Sequence, residues 1–208
     1  VREPARPTLL LLTSLPLMFG EDFSLDGGGS PALTALQSRY KVVSISVASP
    51  PELARGQLLL MAQPLAQPAE DLVALDAWVR KGGRLVLLAD PLLEWQGKRP
   101  LGDPLGPPPM FMDTGLLDHW GLRLDAPDRR GPVSMGKGDD RTVFISPGRL
   151  VSTNPDCVLS RASIVAECKV GQGRVTIIAD ADFLNPDLAA PTARNLDALL
   201  SELKGLER

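Results

Sequence analysis

The sequence predicts an α/β domain of the doubly wound kind, with a mostly parallel sheet covered by helices on both faces. Three observations carry this expectation. Short continuous apolar runs at 8–13, 58–62 and 84–89 suit strands buried on both sides of a parallel sheet. Helical apolar repeats separate them, and the connections are short, giving the order strand, helix, strand, strand, helix, strand of right-handed crossovers. The chain has 208 residues, 44% of them hydrophobic, which is enough to bury one core, so a single domain over 1–208 is expected.

The first strand, 8–13, lies between Pro7 and Pro16. A glycine-rich stretch then leads to Ser30, expected as an N-cap, and Pro31, expected at the first helical position, with Leu33, Leu36 and Tyr40 at helical spacing. Residues 42–47 read as a strand, the Pro50-Pro51 pair as a break in any regular element, and 58–62 as a fully buried strand. From Pro68, the residues Leu72, Leu75, Trp78 and Val79 mark one helical face, with Trp78 expected to anchor it to the sheet. Glu70 and Asp71 in the first turn and Arg80 and Lys81 in the last match the helix dipole. Gly82 and Gly83 end that helix, and a buried strand follows to Asp90-Pro91.

A Pro/Gly-rich loop at 91–113 interrupts the alternation. Beyond it a short helix at 114–120 and a strand at 122–124 are expected, then an irregular polar stretch at 127–140. Residues 141–145 alternate in polarity, as do 162–169, and the Gly171-Gln172-Gly173 turn should join the latter to 174–179 as a C-terminal β-hairpin. A helix over 192–203 is expected to close the chain.

Composition excludes some functions. A net charge of −3, with Arg129 and Arg130 the one adjacent arginine pair and no aromatic beside them, argues against a nucleic-acid partner. The apolar run 9–12 is far below the ~20 residues that cross a bilayer, so any membrane attachment is expected through segments absent from this chain, and Val1 in place of Met suggests a piece of a longer protein. Cys157 and Cys168 lack zinc-site spacing; two buried thiols are the expected state, with one disulfide as the alternative.

In an open parallel sheet ligands bind beyond the carboxyl ends of the strands, which singles out Ser14, Gln63, Asp90, Asp180 and Asp182 as candidate ligand-binding residues. The three aspartates could gather a hard cation such as Mg²⁺ or Ca²⁺, but turn formation and capping explain them more simply, so neither metal nor cofactor is expected. The Asp26-Gly27-Gly28-Gly29-Ser30 loop could offer N–H groups to an anion, yet it lacks the endings of phosphate-binding motifs and reads as a flexible connection. The single histidine, His119, stands beside Trp120 in an apolar segment, and neither cysteine follows a central strand. No catalytic residue is therefore expected.

Several segments together resemble a known family. LLLMAQPLAQPAEDLVALDAW at 58–78, followed by VRKGGRLVLLADP, the LLDHWGLRL segment at 116–124 and GRVTIIADADFL at 173–184 with Asn195, resemble in order the auxiliary domains of ABC-type transport systems of the gliding-motility type. That resemblance implies a flavodoxin-like fold related to class I glutamine amidotransferases but without their catalytic cysteine. It also implies a periplasmic (extracytoplasmic), membrane-anchored position, transporter membrane and ATPase subunits as partners, and a small-molecule or sugar ligand. The expected function is a non-catalytic binding or interaction module. The alternative is a hydrolase or metal-dependent enzyme using the strand-end carboxylates.

Overall fold

A computed structural model of the chain describes residues 6–18, 29–95, 103, 106–136, 141–188 and 194–207. At its centre is a seven-stranded sheet in the order β2-β1-β3-β4-β11-β10-β9. Its parallel part consists of β1 (Thr8–Thr13), β2 (Lys41–Ser44), β3 (Leu58–Ala62), β4 (Arg84–Leu88) and β11 (Gly173–Ile178). Two antiparallel strands, β10 (Val165–Val170) and β9 (Cys157–Ser160), extend the β11 edge. The protein is thus α/β with a mostly parallel sheet.

Because successive side chains point to opposite faces, each apolar strand feeds two cores. Leu9, Leu11, Leu58, Leu60, Val86 and Leu88 meet helices α1 (Pro31–Arg39) and α5 (Asn195–Leu206) on one face. Leu10, Leu59, Met61, Leu85 and Leu87 meet α2 (Pro50–Leu53), α3 (Ala69–Arg80) and α4 (Leu116–His119) on the other. This double coverage is why these strands carry unbroken apolar runs. Each fully buried leucine contributes about 1.5–3 kcal/mol.

The local signals act as their chemistry dictates. Ser30 Oγ accepts the N–H of Leu33 at 3.1 Å and caps α1, with Pro31 in its first turn. After α3, Gly82 takes φ 110°, and the N–H of Gly83 reaches Trp78 O at 3.0 Å. Gly173 opens β11 against the end of α3, where a Cβ would lie 2.1 Å from Val79 O and 2.3 Å from Gly83 O. Only glycine permits that approach.

Several expectations need correction. Pro50 and Pro51 begin a short helix instead of breaking one, because the first helical positions need no donor N–H. The strand expected at 42–47 ends at Ser44. The polar stretch 127–140 contains β6 (Pro132–Met135), which pairs antiparallel with β7 (Thr142–Ile145); proline is tolerated there as the first strand residue. A second small ladder joins β5 (Leu122–Asp125) to β8 (Arg149–Ser152). The run expected to start at 162 begins at Val165, after Arg161, Ala162 and Ser163 turn the chain with positive φ. The last helix runs Asn195–Leu206 instead of 192–203, and 189–193 lie outside the described residues.

Two side-chain expectations also shift. Cys157 and Cys168 face each other across β9 and β10 and form a disulfide, not two thiols. Trp78 is half-buried: its ring covers Gly83 and its Nε1 donates to Gly56 O at 3.3 Å, while Leu75 and Val79 take the fully buried positions of α3. Trp78 packs against that core from its rim.

Candidate functional site

The residues that follow the parallel strands converge. Gln63 comes directly after β3 with φ 44°, and its amide pairs with the backbone of Asp90, two residues beyond β4: Asp90 N–H donates to Gln63 Oε1 at 3.0 Å and Gln63 Nε2 donates to Asp90 O at 3.2 Å. Gln63 Nε2 also donates to Pro108 O at 3.1 Å. Ser14, after β1, donates from its hydroxyl to Gln63 O. The side chain of Gln63 thereby continues the sheet pairing past the last β3–β4 bond and ties in the loop that carries Pro108.

Asp90, Asp180 and Asp182 meet at the same end, all three fully buried, with one carboxylate oxygen of each within 4.8 Å of the others. Backbone N–H groups hold them. Asp90 Oδ2 accepts from Ala181 at 2.9 Å and Asp182 at 3.3 Å, and its Oδ1 from Leu92 at 2.8 Å. Asp180 accepts from Ile145 at 2.6 Å and Phe183 at 3.0 Å. Asp182 Oδ2 accepts from Glu94 at 2.6 Å, whereas its Oδ1 is buried without a hydrogen-bond partner.

Burial is the main reason these groups resist ionisation. It raises Asp90 above the usual carboxylate range, raises Asp180 well above it with help from the charge on Asp90, and pushes Asp182 up to about 7. Among the described residues no Lys, Arg or His pairs with any of them. Glu94 adds a fourth carboxyl nearby, accepting the hydroxyl of Ser146.

All five sequence candidates thus fall at one end of the sheet. Sequence reading missed Glu94, Ser146 and Asn195, which complete the polar network. Glu94 lies in the irregular loop, where no periodicity marks it, and Ser146, with φ 45°, follows a strand whose partner β6 was not expected. Asn195 drew notice only through the family resemblance. The Asp26–Gly28 part of the glycine loop lies outside the described residues.

Neither His119 nor the cysteines belong to this cluster. The side chain of His119 is 57% exposed on the α3 side, 3.5 Å from Asp76 Oδ2 and 3.4 Å from Arg80 Nη2. Both cysteines are consumed by the disulfide. Beside the sealed cluster, however, a half-open cleft of about 480 Å³ lies between the 110–113 segment and β5 and β8. Pro91, Phe111, Asp113, Asp118, Arg123 and Thr153 help line it, and Met110 and Met112 stand half-exposed nearby. Its size falls within the range of small-molecule sites.

No known family pattern matches the chain, and no curated protein is similar to it at a significant level. Solved structures share its fold. It is similar to the mmIFT52 N-terminal domain at 12% identity and TM-score 0.59, covering 95% of this chain and 97% of that one. It is also similar to Cytoplasmic Protein STM3548 from Salmonella typhimurium at 13% identity and TM-score 0.57, covering 96% and 98%. The exo-β-1,4-mannosidase Op5Man5 from Opitutaceae bacterium strain TAV5 gives 15% identity and TM-score 0.57 over 95% of this chain. The chain spans only 36% of that enzyme. At these identities the likeness concerns the fold alone.

Proposed function

We propose that this domain is a non-catalytic binding or interaction module, acting as the extracytoplasmic auxiliary domain of an ABC-type transport system. In this reading the architecture is flavodoxin-like and amidotransferase-related. The strand order β2-β1-β3-β4-β11 supports it, because it follows the 2-1-3-4-5 order of that class.

One observation carries the non-catalytic part of the reading. The three strand-end aspartates are fully buried and held by backbone N–H groups, Asp182 through its Oδ2 alone, so a substrate cannot touch them. A glycosidase needs two carboxyls flanking a substrate bond, at about 5–9.5 Å separation with access to it. Here one oxygen of each acid lies within 4.8 Å of the others, and the N–H groups of Leu92 and Glu94 bond Asp90 and Asp182. The open cleft beside them is the surface for a small-molecule or sugar ligand, and transporter membrane and ATPase subunits are the partners.

The disulfide supports the extracytoplasmic position, since such bonds persist in oxidising compartments. Two measurements test the reading together. The oxidised protein is assayed against ester, amide and glycoside panels, and its full-length parent is purified from its native membrane under mild detergent. The expected outcome is no turnover and co-purification of permease and ATPase subunits. Turnover that disappears on replacing Asp90, Asp180 or Asp182 in a folded protein would instead establish the hydrolase alternative.

A further inference from the structure

We propose that Asp90, Asp180 and Asp182 form a calcium site at the carboxyl end of the central sheet, with the unpartnered Oδ1 of Asp182 among its ligands. The inference is independent of the transport reading, because it rests on the interior of the domain and not on the cleft or on any partner.

Two observations point to it separately. The first is the cluster: three fully buried aspartates each present an oxygen within 4.8 Å of the others, and among the described residues no basic side chain offsets their charge. The second is the orphaned oxygen. Every other oxygen of the trio accepts a backbone N–H, but Asp182 Oδ1 accepts none although it is buried, and an unsatisfied buried oxygen costs free energy unless a proton or a cation meets it.

The backbone bonds also make the cluster suitable. Asp90 Oδ2 accepts the N–H groups of both Ala181 and Asp182, whereas Asp90 Oδ1, both oxygens of Asp180 and Asp182 Oδ2 accept one backbone N–H each and Asp182 Oδ1 accepts none, so the aspartates are fixed without basic residues while oxygens remain able to ligate. The ligands are therefore positioned before an ion arrives. Calcium binds oxygen at about 2.3–2.6 Å, so two ligands of one ion can stand up to about 5 Å apart, and one oxygen of each aspartate lies within that limit. Magnesium, at about 2.0–2.1 Å, demands a near-regular octahedron and dehydrates reluctantly. Calcium also takes carbonyl and water oxygens in irregular shells, as a site between loops requires.

The test uses the whole domain after treatment with chelator and desalting. Equilibrium dialysis with calcium chloride at pH 7.5 counts the ions bound, and thermal denaturation follows Tm across a calcium titration, with magnesium chloride and ionic-strength-matched sodium chloride beside it. The expected result is one calcium per chain, a Tm that rises and saturates with calcium, and at least roughly tenfold weaker binding in Asp182→Asn. Asparagine still accepts the Glu94 N–H through its Oδ1, and circular dichroism checks its fold. Asp180→Asn, measured in parallel, serves if Asp182→Asn does not fold. Absence of saturable calcium binding by the folded wild-type domain would overturn the proposal, as would unchanged affinity in the folded variant. Equal or tighter magnesium binding would overturn the choice of ion.

Discussion

Asn195 grips Val143 through both of that residue's backbone groups: Val143 N–H donates to Asn195 Oδ1 at 2.9 Å, and Asn195 Nδ2 donates to Val143 O at 2.8 Å. The same Nδ2 also reaches Phe183 O at 2.8 Å, so one buried amide at the start of α5 joins β7 and the turn after Asp182. It behaves as one more strand residue where no strand is available.

Asn195→Ala should therefore cost roughly 2–4 kcal/mol, because it strands an N–H and two carbonyls away from water. Asn195→Asp should do no better, since a carboxylate cannot donate to the two carbonyls. Urea denaturation followed by circular dichroism reads both. A midpoint within error of wild type would show that water takes over these bonds.

Gly173→Ala should be among the most destabilising single-methyl changes in the chain. The added Cβ meets two backbone carbonyl oxygens, at 2.1 and 2.3 Å, which cannot rotate away, so α3 must separate from β11. About 3 kcal/mol or more is expected. Gly82→Ala meets no atom and suffers only from its φ of 110°, so it should cost about 1–2 kcal/mol. Reversal of that order in matched thermal melts would contradict the packing at the α3–β11 junction.

Reduction of Cys157–Cys168 should lower stability without disturbing the strand-end network. The bond spans 11 residues of sequence, and a closed loop of that length is worth about 2–3 kcal/mol through restriction of the unfolded chain. The Cys157→Ser, Cys168→Ser double variant should match the reduced protein in Tm and retain whatever calcium affinity the oxidised protein has. Loss of calcium binding on reduction alone would couple the sheet edge to the acid cluster and contradict this separation.

Much of the fold was legible because local chemistry and burial agree along the parallel strands. Leu9 to Leu12, Leu58 to Leu60 and Leu85 to Leu88 have no polar alternation since both of their faces meet helices. The strand-end aspartates were legible for a topological reason: wherever a parallel strand ends, its next residues must converge. What stayed hidden depends on distant partners. β6 forms from a short polar segment only because β7 pairs with it, and Ser146 and Glu94 are brought together across 52 residues. The disulfide could not be read from composition, because it depends on β9 and β10 aligning Cys157 directly opposite Cys168.

The acid cluster should give the domain an unusual pH dependence in the presence of chelator. Asp182 ordinarily titrates near 3.9 in an unfolded chain, but burial and the charge of Asp90 push it up to about 7 in the folded one. Between these values the folded state holds the proton and the unfolded state does not. The contribution of Asp182 is thus intact below about pH 4, falls as pH rises toward 7 and is lost above it, opposite to a salt-bridged carboxylate. Asp180 and Asp90, also raised by burial, act in the same direction. Surface acids such as Asp125, lowered by Arg123, pull the other way, so the informative quantity is the difference between wild type and Asp182→Asn, which keeps every other group. That variant mimics the protonated acid. In chelator the two proteins should have similar Tm at pH 4.5, and the wild type should fall progressively below the variant by pH 8. Adding calcium at pH 8 should raise the wild type and leave the variant little changed, because only the wild type retains the full set of carboxylates. A gap that stays constant from pH 4.5 to 8 would mean that Asp182 does not carry the buried proton.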